Sequence, residues 1–166
     1  MLYGLNREAD GHNLDEAQKD ERWQRLMEYF EKTKASYVIV DANMENELRE
    51  LHAEEKKEFR REYGVFEDGI NELIRAGYTL LGLITFFTTG EDETRGWTIK
   101  QNSSAPEAGG AIHSDFKDKF IRAEVIRWNT LLAAGSYAGA REQGLIRTEG
   151  KEYIVEDGDV IEFLHG

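Results

Sequence analysis

The stretch Ala111–Ile126, AIHSDFKDKFIRAEVI, decides the fold that the sequence predicts. From Phe120 onward, the side chains follow the period of two that is typical of a β-strand. The alternation divides the strand into two faces: Ile121, Ala123 and Val125 on the first, and Phe120, Arg122, Glu124 and Ile126 on the second. A sheet built on this strand is therefore expected to have one apolar face and one mixed face.

A short helix is predicted just before this strand. Ser104 is a favourable N-cap residue, Pro106 falls in the first turn, and Glu107 places a carboxylate near the positive end of the helix. We expect this helix to run to about Ile112. The segment His113-Ser114-Asp115 is then expected to be a loop that joins the helix to the strand.

The rest of the C-terminal half predicts more strands around this unit. Leu83–Thr88 and Arg95–Lys100 have the pattern of a hairpin. Trp128–Ala140 is rich in small residues and contains Gly135, so a broken helical segment packed on the sheet is expected. Three further short strands are predicted: Leu145–Arg147, Glu152–Val155 and Asp159–Leu164, with a hairpin turn at Asp157-Gly158 between the last two. This succession predicts an α+β fold with one mixed sheet.

The N-terminal half predicts a partial βαβ unit followed by helices. Leu2–Leu5 and Tyr37–Val40 have the pattern of buried strands, and Leu14–Thr33 between them has a helical apolar stripe. Glu45–Glu62 and Ile70–Leu81 are predicted to be helical. Two parallel strands with one helix leave a sheet face and an edge uncovered. Either Glu54–Gly82 folds back over that face, or missing strands or a second copy cover it, so homo-oligomers are expected in the latter case.

Composition excludes several classes of function. The chain of 166 residues has 33 acidic and 21 basic side chains, a formal charge of −12, so bulk charge does not predict a general polyanion binder. The absence of cysteine excludes disulfides, thiol catalysis and zinc thiolate sites. No apolar run approaches the ~20 residues of a membrane span. We therefore expect a cytoplasmic protein without a membrane partner.

The run AGGAIHSDFKDKFIRAEVI resembles the C-terminal region of the YchF-type Obg-like ATPases. Three further segments are similar to that family: Ile70–Tyr78, Ala76–Ile99 and Arg141–Phe163. The resemblance implies a TGS domain, a ubiquitin-like β-grasp module, over residues 83–166. It implies a remnant of a nucleotide-binding domain, with connecting helices, over residues 1–82.

The same resemblance bears on catalysis and cofactors. The family hydrolyses ATP with magnesium, but this sequence contains no G-x-x-x-x-G-K-(S/T) phosphate-binding loop. No catalytic residue, metal ligand or cofactor is therefore predicted for this chain alone. In the family, an Asn-x-x-Glu motif contacts the adenine edge. Asn6 matches its asparagine, but Ala9 stands at the glutamate position.

Three residues are candidates for contact with a purine edge: Asn6, Arg7 and Glu8. The alternative for Asn6 is that its amide only ends a strand and caps a turn. His113 and Asp115 are types used in metal or acid–base sites, but a histidine bonded to neighbouring backbone is the favoured interpretation.

One local concentration of positive charge is a candidate for contact with a partner. It consists of Lys117, Lys119, Arg122 and Arg127, with Phe116 and Trp128 nearby. Such a face fits RNA phosphates and bases. Interleaved acidic residues leave a solvated, salt-bridged surface as the alternative.

Three hypotheses for function follow. The first is a non-catalytic TGS module that binds the ribosome or translation-associated RNA or protein, together with a nucleotide-binding domain missing from this chain. The second is that the chain is part of an ATP-hydrolysing enzyme whose phosphate-binding portion lies outside it or on another polypeptide. The third is a ubiquitin-like binding module with unrelated partners, because fold does not determine function.

Overall fold

The structure is a computed structural model that describes residues 1–6, 21–62, 69–90 and 93–166. The described chain separates into two compact units, Met1–Leu80 and Leu81–Gly166, and each is described here by itself. Arg7, Glu8 and the part of the predicted helix before Glu21 lie outside the described residues. The assignment of domains to residues 1–82 and 83–166 stays a prediction.

The first unit is built on two parallel strands joined through a helix. Its elements are β1 (Leu2–Asn6), α1 (Glu21–Thr33), β2 (Ser36–Val40), α2 (Ala42–Leu48), α3 (Ala53–Glu62) and α4 (Gly69–Leu81), which ends at the unit boundary. β1 and β2 pair in parallel over five residues each. Phe30 of α1 is 4% exposed, and its ring stacks on Tyr37 of β2 and contacts Tyr3 of β1. The predicted partial βαβ unit is confirmed.

A partly buried glutamate connects the helices of this unit. Glu45 of α2 accepts two hydrogen bonds from the Arg60 guanidinium of α3, at 3.1 and 3.2 Å. The same carboxylate accepts a bond from the backbone N–H of Gly69 at 3.1 Å. Because this side chain of α2 bonds both α3 and the first residue of α4, the three helices are held together at this point.

The second unit contains one five-stranded mixed sheet and four helices in its described residues. The elements are β3 (Leu83–Thr89), β4 (Thr94–Lys100), α5 (Ala105–Ile112), α6 (Ser114–Asp118), β5 (Phe120–Arg127), α7 (Trp128–Ala134), α8 (Tyr137–Glu142), β6 (Arg147–Glu149) and β7 (Asp159–His165). The strand order is β4-β3-β7-β5-β6. Strands β3 and β7 are parallel, and the other pairs are antiparallel. The predicted α+β fold is confirmed.

The start of β5 departs from simple alternation. Its register with β7 passes from Phe120↔His165 to Arg122↔Leu164, which makes Ile121 the extra residue of a β-bulge. Phe120 is therefore buried at 5% exposure with the residues that line the apolar face, whereas Ile121 is 57% exposed. The predicted placement of Ile121 on the buried face and Phe120 on the mixed face is wrong, because the bulge shifts the alternation by one residue.

Helices cover both faces of the sheet to different extents. The α5 face holds the larger core cluster, which includes Phe86, Ala123, Val125 and Phe163. On the other face, Ile126 and Val160 pack with Ala140 of α8 in a smaller cluster. The predicted broken helical segment is confirmed, since α7 ends at Ala134 and α8 begins at Tyr137. The mixed character of this second face is also confirmed, because Arg122 remains exposed.

The segment after α5 is helical, so the predicted loop at residues 113–115 is wrong. The expected helix start is confirmed: Ser104 and Glu107 form a reciprocal capping box, and the bonds from Ser104 lower the pKa of the Glu107 carboxyl. After His113 the chain turns directly into α6. A Cβ at position 109 would lie 3.0 Å from Phe116 Cβ, so Gly109 permits the close approach of α5 and α6.

The turn at Asp157-Gly158 does not close a hairpin. Within residues 93–166, Ile154 forms only a single bridge with Ser104, and β6 lies at Arg147–Glu149, two residues after its predicted start. Instead, Asp157 Oδ1 accepts from the Thr85 backbone N–H and the Gly158 N–H donates to the Thr85 carbonyl, both at 2.8 Å. The turn therefore binds β3 and directs β7 between β3 and β5.

In the described ranges, no helix has both the length and the apolar character needed to cross a membrane.

Candidate functional site

The four predicted basic residues lie on α6, directly after it, and on β5. Lys117 is exposed on α6, where its aliphatic chain packs beside Gly110 of α5. Lys119 follows α6 and forms an ion pair with Asp115 at 3.4 Å, with both side chains about half exposed. Arg122 is exposed on β5, directly after the bulge. Exposed ion pairs contribute little energy, so Lys119 stays available to a polyanion.

Arg127 has a different environment from the other three cations. It lies at the last position of β5, and its Nη1 donates to Asp159 Oδ1 at 3.2 Å and to Glu156 Oε2 at 3.3 Å. Two carboxylates therefore neutralise this guanidinium. Three exposed cations therefore remain around the junction of α6 and β5, Lys117, Lys119 and Arg122, which we call the α6–β5 surface. Lys117 lies on the α5 side of the sheet, whereas Arg122 lies on the opposite, mixed face.

Asp159 organises a buried polar network beside Arg127. The carboxylate is 0% exposed, and its Oδ2 accepts from the Tyr153 hydroxyl at 2.7 Å and from the Glu156 N–H at 2.9 Å. Arg147 in turn donates to the Tyr153 oxygen at 3.0 Å. Burial, and then the bond to Asp159, raise the pKa of Tyr153 to about 12. The network is fully bonded at these atoms, which indicates a structural role.

This raised pKa predicts a loss of stability at alkaline pH. Tyr153 has an ordinary pKa of 10.0, so the unfolded chain releases the proton first, and the stabilisation that is complete below pH 10 is lost as the pH rises towards 12. We expect ultraviolet titration to show Tyr153 ionising at a higher pH in the native chain than in the Asp159→Asn variant, which keeps the burial but lacks the carboxylate. An identical titration curve for the variant would contradict the assigned hydrogen bond.

His113 and Asp115 do not form an acid–base pair in the structure. The His113 Nδ1 accepts from the backbone N–H of Asp115 at 3.2 Å, while the Asp115 carboxylate faces Lys119. His165 packs against the Phe116 ring with centroids 4.6 Å apart. In the part of the chain that the structure describes, no group of three His, Asp or Glu residues could hold a metal ion.

Asn6 lies at the carboxyl ends of the parallel strands. Its Oδ1 accepts from the backbone N–H of Ala42 at 3.1 Å and so joins the end of β1 to the start of α2. Asp41 caps the same helix by accepting from the Met44 N–H at 3.0 Å. The alternative that the Asn6 amide caps a turn therefore has a direct hydrogen bond, whereas its predicted contact with a purine edge stays a prediction.

Two surface features were not singled out from the sequence. Arg95 stacks over the Trp97 ring at 4.2 Å on the edge strand β4. Beside α7, Trp128 and Leu132 are exposed and line a cavity of about 290 Å³ with Phe87 and Val160. The sequence contains a signal for each feature. Arg95 and Trp97 are two residues apart and so share a face of a strand, and Trp128 and Leu132 are four residues apart and so share a face of a helix.

Comparison with known proteins identifies the family to which this chain belongs. The family model YchF-GTPase_C, described as "Protein of unknown function (DUF933)", matches residues 83–165. The ribosome-binding ATPase YchF of Bacillus subtilis (strain 168) is 47% identical over 163 residues, which are 98% of this chain and 44% of the relative. The protein of the same name from Pasteurella multocida (strain Pm70) is 48% identical over 139 residues, or 84% of this chain and 38% of the relative.

The chain belongs to the YchF family and corresponds to the C-terminal region of its members, as the sequence predicted. It spans less than half the length of these relatives.

Solved structures agree with this assignment. The YchF GTPase of Schizosaccharomyces pombe matches with a TM-score of 0.84 at 28% identity, over 98% of this chain and 43% of that protein. A GTP-binding protein from Pyrococcus horikoshii OT3 matches the whole chain and 46% of its own length, with a TM-score of 0.64. At 18% identity, this second match shows the fold alone.

Proposed function

We propose that this chain is a non-catalytic binding module whose C-terminal unit is a TGS-type β-grasp domain that binds the ribosome. The relatives from B. subtilis and P. multocida are named ribosome-binding ATPases, and they share 47% and 48% of the aligned residues with this chain. The sheet order β4-β3-β7-β5-β6, with a helix across one face, supports the β-grasp assignment. Binding to the ribosome would imply a cytoplasmic location.

The single observation that supports a binding surface is the exposed α6–β5 surface. Lys117, Lys119 and Arg122 are exposed cations within six consecutive residues, in a chain whose formal charge is −12. Local cations attract RNA phosphates when their side chains reach the backbone, because neutralised phosphates release counterions. Arg127 is outside this surface, because Asp159 and Glu156 already neutralise it.

A variant with reversed charge tests this surface. The double substitution Lys117→Glu and Arg122→Glu is expected to weaken co-sedimentation with ribosomes and to lower the slope of log K against log salt by about 1 for each lost phosphate contact. The double substitution Lys32→Glu and Lys151→Glu is the matched control, because it changes the net charge by the same amount and both lysines are exposed and far from α6 in sequence. Equal losses in both variants would contradict a localised surface.

A second candidate function follows from the length of the relatives. Since the chain spans 44% of the B. subtilis ATPase, it is also a candidate for the part of an ATP-hydrolysing enzyme that completes the nucleotide site. Asn6, Arg7 and Glu8 would then meet the purine edge of ATP with magnesium. Calorimetric titration of this chain with ATP, ADP and GTP distinguishes the two, because tight binding by the chain alone would contradict the non-catalytic module.

A further inference from the structure

A cavity of about 290 Å³ lies between α7 and the hairpin of β3 and β4. Its polar lining residues are Thr89 and Thr94, whose hydroxyl groups hydrogen-bond to each other at 2.8 Å. Trp128 and Leu132 of α7 are 49% and 72% exposed, so an occupant can enter from solvent. The rest of the lining is apolar and consists of Phe87, Trp128, Leu131, Leu132 and Val160. The cavity therefore fits an apolar group.

Trp128 forms a wall of this cavity and is held by the turn before β7. A Cβ at position 158 would lie 2.6 Å from Trp128 Cδ1, so Gly158 permits the indole ring to pack directly on the turn. The backbone N–H of Trp128 also donates to the Gly158 carbonyl at 3.1 Å. A wall that is ordered before binding loses little conformational entropy when an occupant packs on it.

A second cavity, of about 740 Å³, lies beside the first. The two cavities share Thr89, Leu131 and Leu132 in their linings, and we call them together the α7 groove. The lining of the larger cavity includes two charged side chains, Arg141 and Glu162, which are both more than half exposed. The apolar part of the groove is thus continuous with a charged part.

The charged part of the α7 groove has an excess of carboxylates. The Arg141 guanidinium hydrogen-bonds to the Glu124 carboxylate and lies 3.9 Å from that of Glu162. One guanidinium therefore faces two carboxylates. Glu162 is 57% exposed and is the more accessible of the two, because Glu124 is 17% exposed.

The Trp128 end of the groove has the same imbalance. Arg127 Nη2 and Trp128 Cδ1 both lie within 4 Å of the position that a Cβ of residue 158 would take, so the guanidinium is close to the indole ring. This guanidinium is paired with the buried Asp159 and with Glu156, which is 66% exposed. Here too, one cation faces two carboxylates.

The other cations on this face of the sheet lie farther along the strands. Arg122 is four residues from Ile126, the partner of Val160, and Lys100 is six residues from Thr94. At the rise of a strand these separations are about 13 and 20 Å, beyond the Debye length of about 8 Å at physiological salt. The charged residues next in sequence to Thr94, Arg141 and Gly158 are exposed carboxylates: Glu93, Glu142 and Asp157.

We propose that the α7 groove binds a cationic peptide segment that inserts an apolar side chain into the smaller cavity. The apolar group packs on Trp128 and Leu132. A lysine or arginine beside it faces Glu162 or Glu156, the exposed carboxylates of the two clusters. The local excess of negative charge is complementary to such a peptide and repels a polyanion such as RNA. The lining of the groove contains no residue of the α6–β5 surface, so the proposal does not depend on ribosome binding.

The test uses the complete chain labelled with ¹⁵N and a short, blocked peptide of alternating phenylalanine and lysine. We expect the peptide to shift the Trp128 indole N–H signal and the amide signals of Leu131 and Leu132. A peptide with glutamate in place of lysine is expected to bind about tenfold more weakly, and salt should reduce this difference. A peptide with serine in place of phenylalanine should lose binding, because it has no apolar group for the cavity.

Two pairs of variants test the apolar and charged parts separately. Leu132→Ala is expected to weaken binding of the lysine peptide by about tenfold, because it removes exposed apolar lining. Its matched control is Asn129→Ala, since Asn129 is exposed on the same helix and lines neither cavity. Glu162→Gln is expected to weaken binding by about threefold, as for an exposed ion pair. Glu152→Gln, at another exposed position, is the control with the same change of charge.

Four outcomes would overturn the proposal. The first is equal binding of the lysine and glutamate peptides. The second is equal peptide affinity of the Leu132→Ala and Asn129→Ala variants. The third is tighter binding of a single-stranded RNA oligonucleotide than of the lysine peptide at these signals. The fourth is no binding of the lysine peptide at millimolar concentration; if the chain then self-associates and Leu132→Ala abolishes the self-association, the occupant of the groove is a second copy.

Discussion

Replacing Phe86 with alanine is expected to lower the free energy of unfolding of the second unit by about 3–5 kcal/mol. Phe86 lies on β3 and is 0% exposed, and its ring meets Phe163 of β7 edge to face at a centroid distance of 5.8 Å. Because β3 and β7 are the parallel pair that joins the two parts of the sheet, a cavity at this position weakens the centre of the fold. This loss is a large fraction of the stability of a small domain.

Native-state amide exchange of β3 and β7 measures this loss in the complete chain. The control is Leu132→Ala on α7, since Leu132 is 72% exposed and its truncation should change stability by no more than about 0.5 kcal/mol. If Phe86→Ala cost no more than the control, the assigned core of the second unit would be wrong.

Replacing Asp159 with alanine is expected to destabilise the second unit by about 3 kcal/mol. The substitution removes a fully buried acceptor and leaves the Tyr153 hydroxyl and the Glu156 N–H without the partner that each has now. It also leaves Arg127 with Glu156 as its remaining ion-pair partner in the described residues. The loss of stability arises mainly from the two polar groups left without this hydrogen-bond acceptor, because the ion pair with Arg127 is partly exposed.

Asp157→Ala is the matched control, because Asp157 lies in the same turn but is exposed. It accepts one hydrogen bond, from Thr85 N, so its removal should cost only about 1 kcal/mol. Urea unfolding of the two variants compares these losses. A smaller loss of unfolding free energy for Asp159→Ala than for Asp157→Ala would contradict the claim that the buried carboxylate organises the polar network.

The fold class followed from local patterns that the structure retains. The capping box at Ser104 and Glu107, the strand that begins at Phe120 and the broken helix around Gly135 are all determined by neighbouring residues. Each of these signals acts over a few positions, so the printed sequence is sufficient to find them. The family could also be recognised from the run of residues that spans α5 to β5.

The incorrect predictions involve contacts between distant segments. Whether Ile121 is the extra residue of a bulge depends on how β5 pairs with His165 and Leu164, some forty positions away. The alternation of side chains within β5 does not determine that register. Asp157-Gly158 has the composition of a hairpin turn, but its hydrogen bonds go to Thr85. Arg127 was predicted to belong to a basic surface, because its ion-pair partner Asp159 is distant in sequence and the pairing becomes evident only in the fold.

Co-sedimentation of the 166-residue chain with ribosomes, without nucleotide and at about 50 mM and 200 mM salt, is the most direct test of the central claim. A ribosome-binding module that needs no ATP should pellet at low salt, dissociate as salt increases, and give the same result when ATP is added. Failure to pellet at low salt, or pelleting only when ATP is present, would contradict the proposed non-catalytic module.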